Sequence, residues 1–176
     1  MNSSIKTVLL VIVVVLALAV AALMVLKRTD APESDSITKV ESEYSGPSPF
    51  DGLGLRYDGH YRCERGSLRY LLRFFPEGRV VLVNGTKEVE ETLPDFLIRD
   101  TKGNPSIGLH NVMANVKGDS IFFVTKPMRG EISYRGKATG PGRVRFFRHS
   151  HITGADFDMD YIFVSDEERK SGQQPS

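Results

Sequence analysis

The chain has 176 residues, 40% of them apolar, with 23 Lys and Arg against 22 Asp and Glu for a formal net charge of +1. So even a balance excludes the broad attraction to nucleic acid or acidic substrates that a strongly basic domain exerts. A single cysteine, Cys63, excludes an intrachain disulfide framework, so any fold must rest on its apolar core, with the thiol as one small apolar side chain of that core.

Residues 1–26 hold a short polar tail and then Thr7 to Leu26, TVLLVIVVVLALAVAALMVL, a run without a single charge. As an α-helix it would extend about 30 Å, the hydrocarbon thickness of a bilayer. The run predicts a single-pass signal-anchor helix over 7–26. The competing reading is a cleaved signal peptide, with its cut after Ala17-Leu18-Ala19 or Ala19-Val20-Ala21. The apolar run continues past those alanines to Leu26 and stops at Lys27-Arg28, which favours the uncleaved anchor. Lys6 flanks one end and Lys27 and Arg28 the other, a bias that puts the C-terminal domain on the cytoplasmic face. Residues 27–48 are rich in Ser, Glu, Asp and Pro without apolar periodicity, and read as a flexible tether.

The folded part is expected over 49–166. Its clearest signal is Phe75-Pro76-Glu77-Gly78-Arg79, where proline presets the turn and glycine accepts the left-handed conformation that closes a hairpin. Before it, Leu68, Tyr70, Leu72 and Phe74 alternate with Arg69 and Arg73, the period of a half-buried strand. Strands are predicted near 59–64, 68–75, 79–84, 109–117, 120–126, 130–139, 143–150 and 158–164. Glu88 to Gly108 breaks the pattern and reads as a short helix or irregular loop crossing one barrel mouth. Residues 167–176 read as a disordered tail. Eight sequential strands with hairpin links imply an all-β, antiparallel up-and-down barrel or a strongly curved sheet behind the anchor.

Three patches in this order are familiar together: Tyr57-Asp58-Gly59-His60-Tyr61-Arg62, Arg69 to Val80 around the hairpin, and His149-Ser150-His151-Ile152-Thr153. They resemble the β-rich domain that lies C-terminal to the F-box in one family of F-box-only proteins. The resemblance covers most of 57–164. It implies a lipocalin-like barrel with an unassigned ligand, and no ubiquitin-ligase adaptor role, because the F-box is absent from this sequence. Gly59-x-Tyr61 is also similar in placement to the Gly-x-Trp of lipocalins, with Tyr in place of Trp.

Two clusters invite chemistry. On a strand, His149 and His151 point to one face and could share a metal with Asp156 or Asp158. The more economical reading is a hydrogen-bonded closure tying the seventh strand to the loop before the eighth. Lys126 to Arg148 carries Arg129, Arg135, Lys137, Arg143, Arg145 and Arg148, read as an outward face answering Asp156, Asp158, Asp160, Asp166, Glu167 and Glu168. Lipid headgroups or an acidic protein are its next readings, and no nucleic-acid partner is expected. Asn84-Gly85-Thr86 fits an N-glycosylation site only in a lumenal setting and otherwise reads as a turn. No phosphate loop, nucleophile elbow or zinc-spaced set occurs, so catalysis is not expected and no cofactor or metal is assigned. The sequence thus predicts a single-pass, membrane-anchored binding or interaction module for a small apolar ligand or a protein partner. Inward candidates to line a ligand site are Tyr61, Tyr70, Leu72, Phe74, Phe123, Phe146 and Tyr161, with Cys63 and Ile121 beside them. The open alternatives are a metal-dependent enzyme at the His-x-His pair and a secreted barrel released from a signal peptide.

Overall fold

Alternating apolar and polar side chains, punctuated by glycine turns, give nine antiparallel strands in the computed structural model, which describes residues 44–172. The expected anchor over 7–26 and the tether as far as residue 43 lie outside the described residues, as do residues 173–176. Among the described residues no helix is long and apolar enough to cross a membrane.

The strands are β1 (Gly59–Arg65), β2 (Leu68–Phe75), β3 (Arg79–Thr86), β4 (His110–Met113), β5 (Asn115–Lys117), β6 (Ser120–Thr125), β7 (Ile132–Gly140), β8 (Arg143–Ser150) and β9 (Asp156–Ser165). They form one sheet in the order β4-β3-β2-β1-β9-β8-β7-β6-β5. Each strand therefore pairs with sequence neighbours, and β1 also pairs with β9 from Gly59↔Ser165 to Arg62↔Ile162. The two edge strands, β4 and β5, are consecutive in the chain, so the sheet is a nearly closed barrel.

Their separation corrects the single strand expected over 109–117. The chain runs beside β3 as far as Met113 and beside β6 from Asn115. Between them the Ala114 N–H leaves both ladders and donates to the Gly78 carbonyl at 2.8 Å, at the tip of the β2–β3 hairpin. That tip has the expected form: the Gly78 N–H donates to the Phe75 carbonyl at 3.0 Å, and Gly78 has φ 94°, the left-handed region that favours glycine.

Of residues 87–108, Lys87–Phe96 covers the outer face of the sheet rather than a barrel mouth, while Pro105 and Gly108 reach the pocket at the open end. Lys87–Phe96 winds as successive 3₁₀ turns, and Pro105–Ile107 as one more. The first packs Leu93, with Leu97 just beyond it, onto the outer face of β2 and β3, where Leu71, Phe75, Val81 and Val83 form a second apolar cluster outside the barrel. This explains why both faces of β2 and β3 are apolar. Arg69, 5% exposed, fixes the helix there, donating from Nε to Glu90 at 2.8 Å and pairing with Glu64 at 3.3 Å.

The tail expected to fray from Glu167 instead forms helix α1 (Asp166–Gly172). Its start is a capping box: the Glu168 N–H donates to Ser165 Oγ at 3.1 Å and the Ser165 N–H to Glu168 Oε2 at 3.2 Å. Three acids in the first turn add favourable interaction with the helix dipole.

Candidate ligand pocket at the open end of the barrel

The barrel interior is built by parity. Tyr61, Cys63 and Arg65 share one face of β1, Tyr70, Leu72 and Phe74 one face of β2, and Val144, Phe146 and Arg148 one face of β8. Near the β2–β3 hairpin this interior is packed solid. Residues 48–57 fold under that end: Phe50, 1% exposed, sits edge-on to Phe74 at 5.3 Å, and Tyr61 lies edge-on to Phe74 and Phe163 at 5.4 and 5.2 Å. The Tyr61 hydroxyl accepts the Arg56 N–H at 2.8 Å, and Arg56 stacks over Phe163 at 4.0 Å, sealing the seam. Amid this packing, burial pushes the Tyr61 phenol and the Cys63 thiol to higher pKa.

The other end is different. Between the last residues of β3, β6 and β8 and the first of β4 and β7 lies a partly open pocket of about 270 Å³. Tyr70, Asn84, His110, Thr125, Ile132, Tyr134, Arg148 and Tyr161 contribute to its wall. Leu82 adds to the apolar part of the lining, while Phe123 stacks on Tyr134 at 4.6 Å. Burial pushes the Tyr134 phenol up in pKa, opposed by the neighbouring Arg148, and pushes Tyr161 up far more. Burial also lowers the pKa of His110, so its imidazole is held neutral. The Thr125 hydroxyl, on a residue 1% exposed, lies close enough to Tyr134 to favour its anion, yet makes no hydrogen bond of ordinary geometry.

Arg148 is the unusual member. Its cross-strand neighbours are Tyr134 and Phe157. Its one hydrogen bond runs from Nε to the Tyr134 hydroxyl at 3.4 Å, and its guanidinium lies 5.7 Å from the Phe157 ring. Arg65 lies over the same ring at 3.9 Å. Arg145, on the opposite face of the same strand, is held by Asp160 through two hydrogen bonds.

Of the residues expected to line a site, Tyr70 and Tyr161 reach this pocket. Tyr61, Leu72, Phe74 and Phe146 lie in the packed core at 1% exposure or less, with Cys63 and Ile121 among them. Arg148 was grouped with an outward basic face, and this is corrected: two positions from Phe146 on a strand, it must share that inward face. His110 and Thr125 are further pocket residues that sequence reasoning did not single out, and Arg65 lies near them at the end of β1. Parity counted from Tyr61 reaches Arg65, and parity from Phe123 reaches Thr125.

The His149–His151 pair lies outside the barrel at the same end. His149 Nδ1 is 2.5 Å from Asp156 Oδ1, His151 Nε2 is 3.3 Å from Ser133 Oγ, and the two rings meet edge to face at 4.5 Å. One nitrogen of each imidazole is thus occupied, and the bonds tie β8 to β9 and to β7. Among the described residues no group of three or more His, Cys, Asp or Glu side chains is arranged to hold a metal ion.

Two further depressions are more open. One, of about 530 Å³, runs along the outer face of β6 and β7 past Phe122, Val124, Arg135 and Phe147. The other, of about 410 Å³, lies between β1, the first 3₁₀ helix and α1, beside His60 and Arg169. Comparison with known proteins finds no matching family model, no matching curated protein and no matching solved structure. The described residues define a β-barrel-like domain with one sealed end and a polar-rimmed pocket at the other.

Proposed function

We propose that the chain is a non-catalytic binding module: an eight-stranded, lipocalin-like up-and-down barrel that takes a small, largely apolar ligand into its open end. Counting β4 and β5 as one bent strand gives the eight strands, each beside its sequence neighbour and the first beside the last. The pairing order suits the lipocalin-like domain of the F-box-only family that the hairpin and the His149-Ser150-His151 patch resemble. The observation that carries the reading is the partly open pocket of about 270 Å³ in a barrel whose other end is sealed by Phe50. At about 30 Å³ per water it offers the space of roughly nine waters, hence of an organic molecule of about ten non-hydrogen atoms.

The uncharged run from Thr7 to Leu26 supports a single-pass anchor, and Lys27 with Arg28 a cytoplasmic domain. A protein partner is the second reading, favoured by Met113, Val124 and Phe147, which are 54%, 41% and 37% exposed around one outer depression. The metal-enzyme reading is not favoured, because His149 and His151 already spend a nitrogen each on Asp156 and Ser133.

The test is calorimetric titration of the full chain, in a mild non-ionic detergent, with neutral and charged ring compounds of about ten heavy atoms. Saturable one-to-one binding of at least one compound is expected, and its loss in Ile132→Trp, which fills the pocket mouth, with an unchanged circular dichroism spectrum. Binding by no member of the panel, or binding indifferent to Ile132→Trp, would refute the pocket as the site.

A further inference from the structure

Resting on that pocket reading, we infer that the ligand is a small monocarboxylate. Its apolar body lies between Leu82, Ile132 and the Tyr161 ring, and its carboxylate meets the Arg148 guanidinium. Three observations carry this.

Arg148 projects from the inward face of β8 into the pocket wall, half-buried, where its guanidinium gives up part of its water and gains from a partner. Among the described residues no carboxylate lies within salt-bridge distance of it, and no Asp or Glu lines the pocket. Its only side-chain hydrogen bond among the described residues is the long one to the Tyr134 hydroxyl, made by Nε and not by the η nitrogens of the fork. A planar carboxylate matches that fork with two parallel hydrogen bonds, as Asp160 already does for Arg145 on the outer face.

Arg65, exposed at the end of β1, brings a second cation near this end of the barrel. It stands over the Phe157 ring that Arg148 also approaches, and among the described residues it too has no carboxylate within salt-bridge distance. Two guanidiniums about one ring, with no counter-charge between them, set a positive field at the entrance. The remaining polar groups suit a carboxylate with a small neutral body rather than a cation. The phenols of Tyr70 and Tyr134 can donate, the Tyr161 hydroxyl is turned to Met159 Sδ at 3.9 Å, and the Thr125 hydroxyl is buried without a partner of ordinary geometry. His110 is held neutral by burial and adds no charge of its own.

The pair p-toluate and p-toluamide tests this directly, since the two have the same shape and number of heavy atoms and differ in charge. Both are titrated into the full-length chain in detergent. The carboxylate is expected to bind at least about tenfold more tightly than the amide, the worth of a charge-assisted, bidentate hydrogen bond. Arg148→Gln should erase that preference and leave the amide where it was, Arg148→Lys should keep part of it, and Arg65→Gln should reduce it slightly. The comparison of the two compounds on the unaltered chain needs no variant, so a misfolded Arg148→Gln would not spare the inference. Equal affinities for toluate and toluamide, or a preference that survives Arg148→Gln in a folded protein, overturns the anion and leaves the pocket intact. Binding of neither compound overturns the pocket and the anion together.

Discussion

Gly59 sits where the first and last strands meet, and Gly59→Ala tests whether that seam is closed as tightly as it is drawn. Gly59 pairs with Ser165, and a methyl carbon added there would stand 2.2 Å from the Val164 carbonyl oxygen and 2.8 Å from the Ser165 Cα. Both are backbone atoms, so no rotamer change relieves the overlap. Ordinary carbon contacts are about 3.5 Å, so β1 and β9 must part by about 1 Å at this end. That loosens the Gly59–Ser165 and His60–Val164 pairs and the 3.0 Å hydrogen bond from the Asp166 N–H to the Asp58 carbonyl. Overpacking of this kind costs about 1–3 kcal/mol, and a weakened hydrogen bond about 1 kcal/mol. Reduced freedom of the unfolded chain returns about 0.4–1 kcal/mol. Gly59 does not have positive φ, so conformational strain adds nothing. The expected net loss is about 1–3 kcal/mol. Urea unfolding of the full chain followed by tyrosine fluorescence, clean because the sequence has no tryptophan, measures it. Gly103→Ala is the matched control: its nearest neighbour would be the Leu109 carbonyl at 3.5 Å, so no loss is expected. Equal urea midpoints for the two variants would refute the tight seam.

His60, 4% exposed and with Nδ1 unpartnered, has its pKa lowered to about 4, by burial first, with Asp166 opposing and Arg169, Arg73 and Arg62 reinforcing the shift. The folded state therefore refuses a proton that the unfolded chain accepts below its ordinary value near 6.5: stability is full above about pH 6.5, falls between pH 6.5 and 4, and has lost about 3 kcal/mol below that window. Unfolding free energies of the wild type and His60→Gln between pH 4 and 7 should diverge by this limb, and parallel profiles would contradict it. His149→Ala should cost under about 1 kcal/mol, because His149 and Asp156 are 34% and 54% exposed in their side chains; a loss of several kcal/mol in thermal unfolding would show the closure to be far more than a surface pair.

Much of the barrel was legible because its signals are local. Pro76 and Gly78 fix the hairpin from their own backbone preferences, and Leu68 to Phe74 announces a strand by alternation alone. The features that escaped depend on partners distant in the chain. Ala114 looks like mid-strand until the Gly78 carbonyl draws its N–H away. Leu93 and Leu97 look like a mouth-crossing segment until Leu71, Phe75, Val81 and Val83 are seen to need an outer cover. The α1 start was legible in principle, since Ser165 and Glu168 have capping-box spacing, but the polar composition beyond them suggested fraying. Arg148 was hidden by averaging: a basic composition over twenty residues treated opposite strand faces as one.

The contrast between the two barrel ends explains why a pocket forms at only one of them. A barrel-like sheet of about this size has an interior that side chains can just fill. At the hairpin end that filling is aromatic and complete: Phe50, Tyr61, Phe74 and Phe163 meet edge to face, and a segment outside the barrel supplies the last ring. At the open end the inward positions fall to Thr125, Tyr134, Arg148 and His110, whose polar tips cannot interlock as hydrocarbon does. Packing these groups would strand hydroxyls and a guanidinium away from water, at a cost of about 1–3 kcal/mol for each unsatisfied group. Leaving space admits water to the half-buried Arg148 and loses dispersion contacts instead, though the Thr125 hydroxyl stays buried. A core selected for stability alone would resolve that conflict with hydrophobic residues, as the hairpin end does. Arg148, facing that space without a carboxylate partner among the described residues, is the group at this end that hydrocarbon packing would not place there, and it is the one the proposed anion would meet.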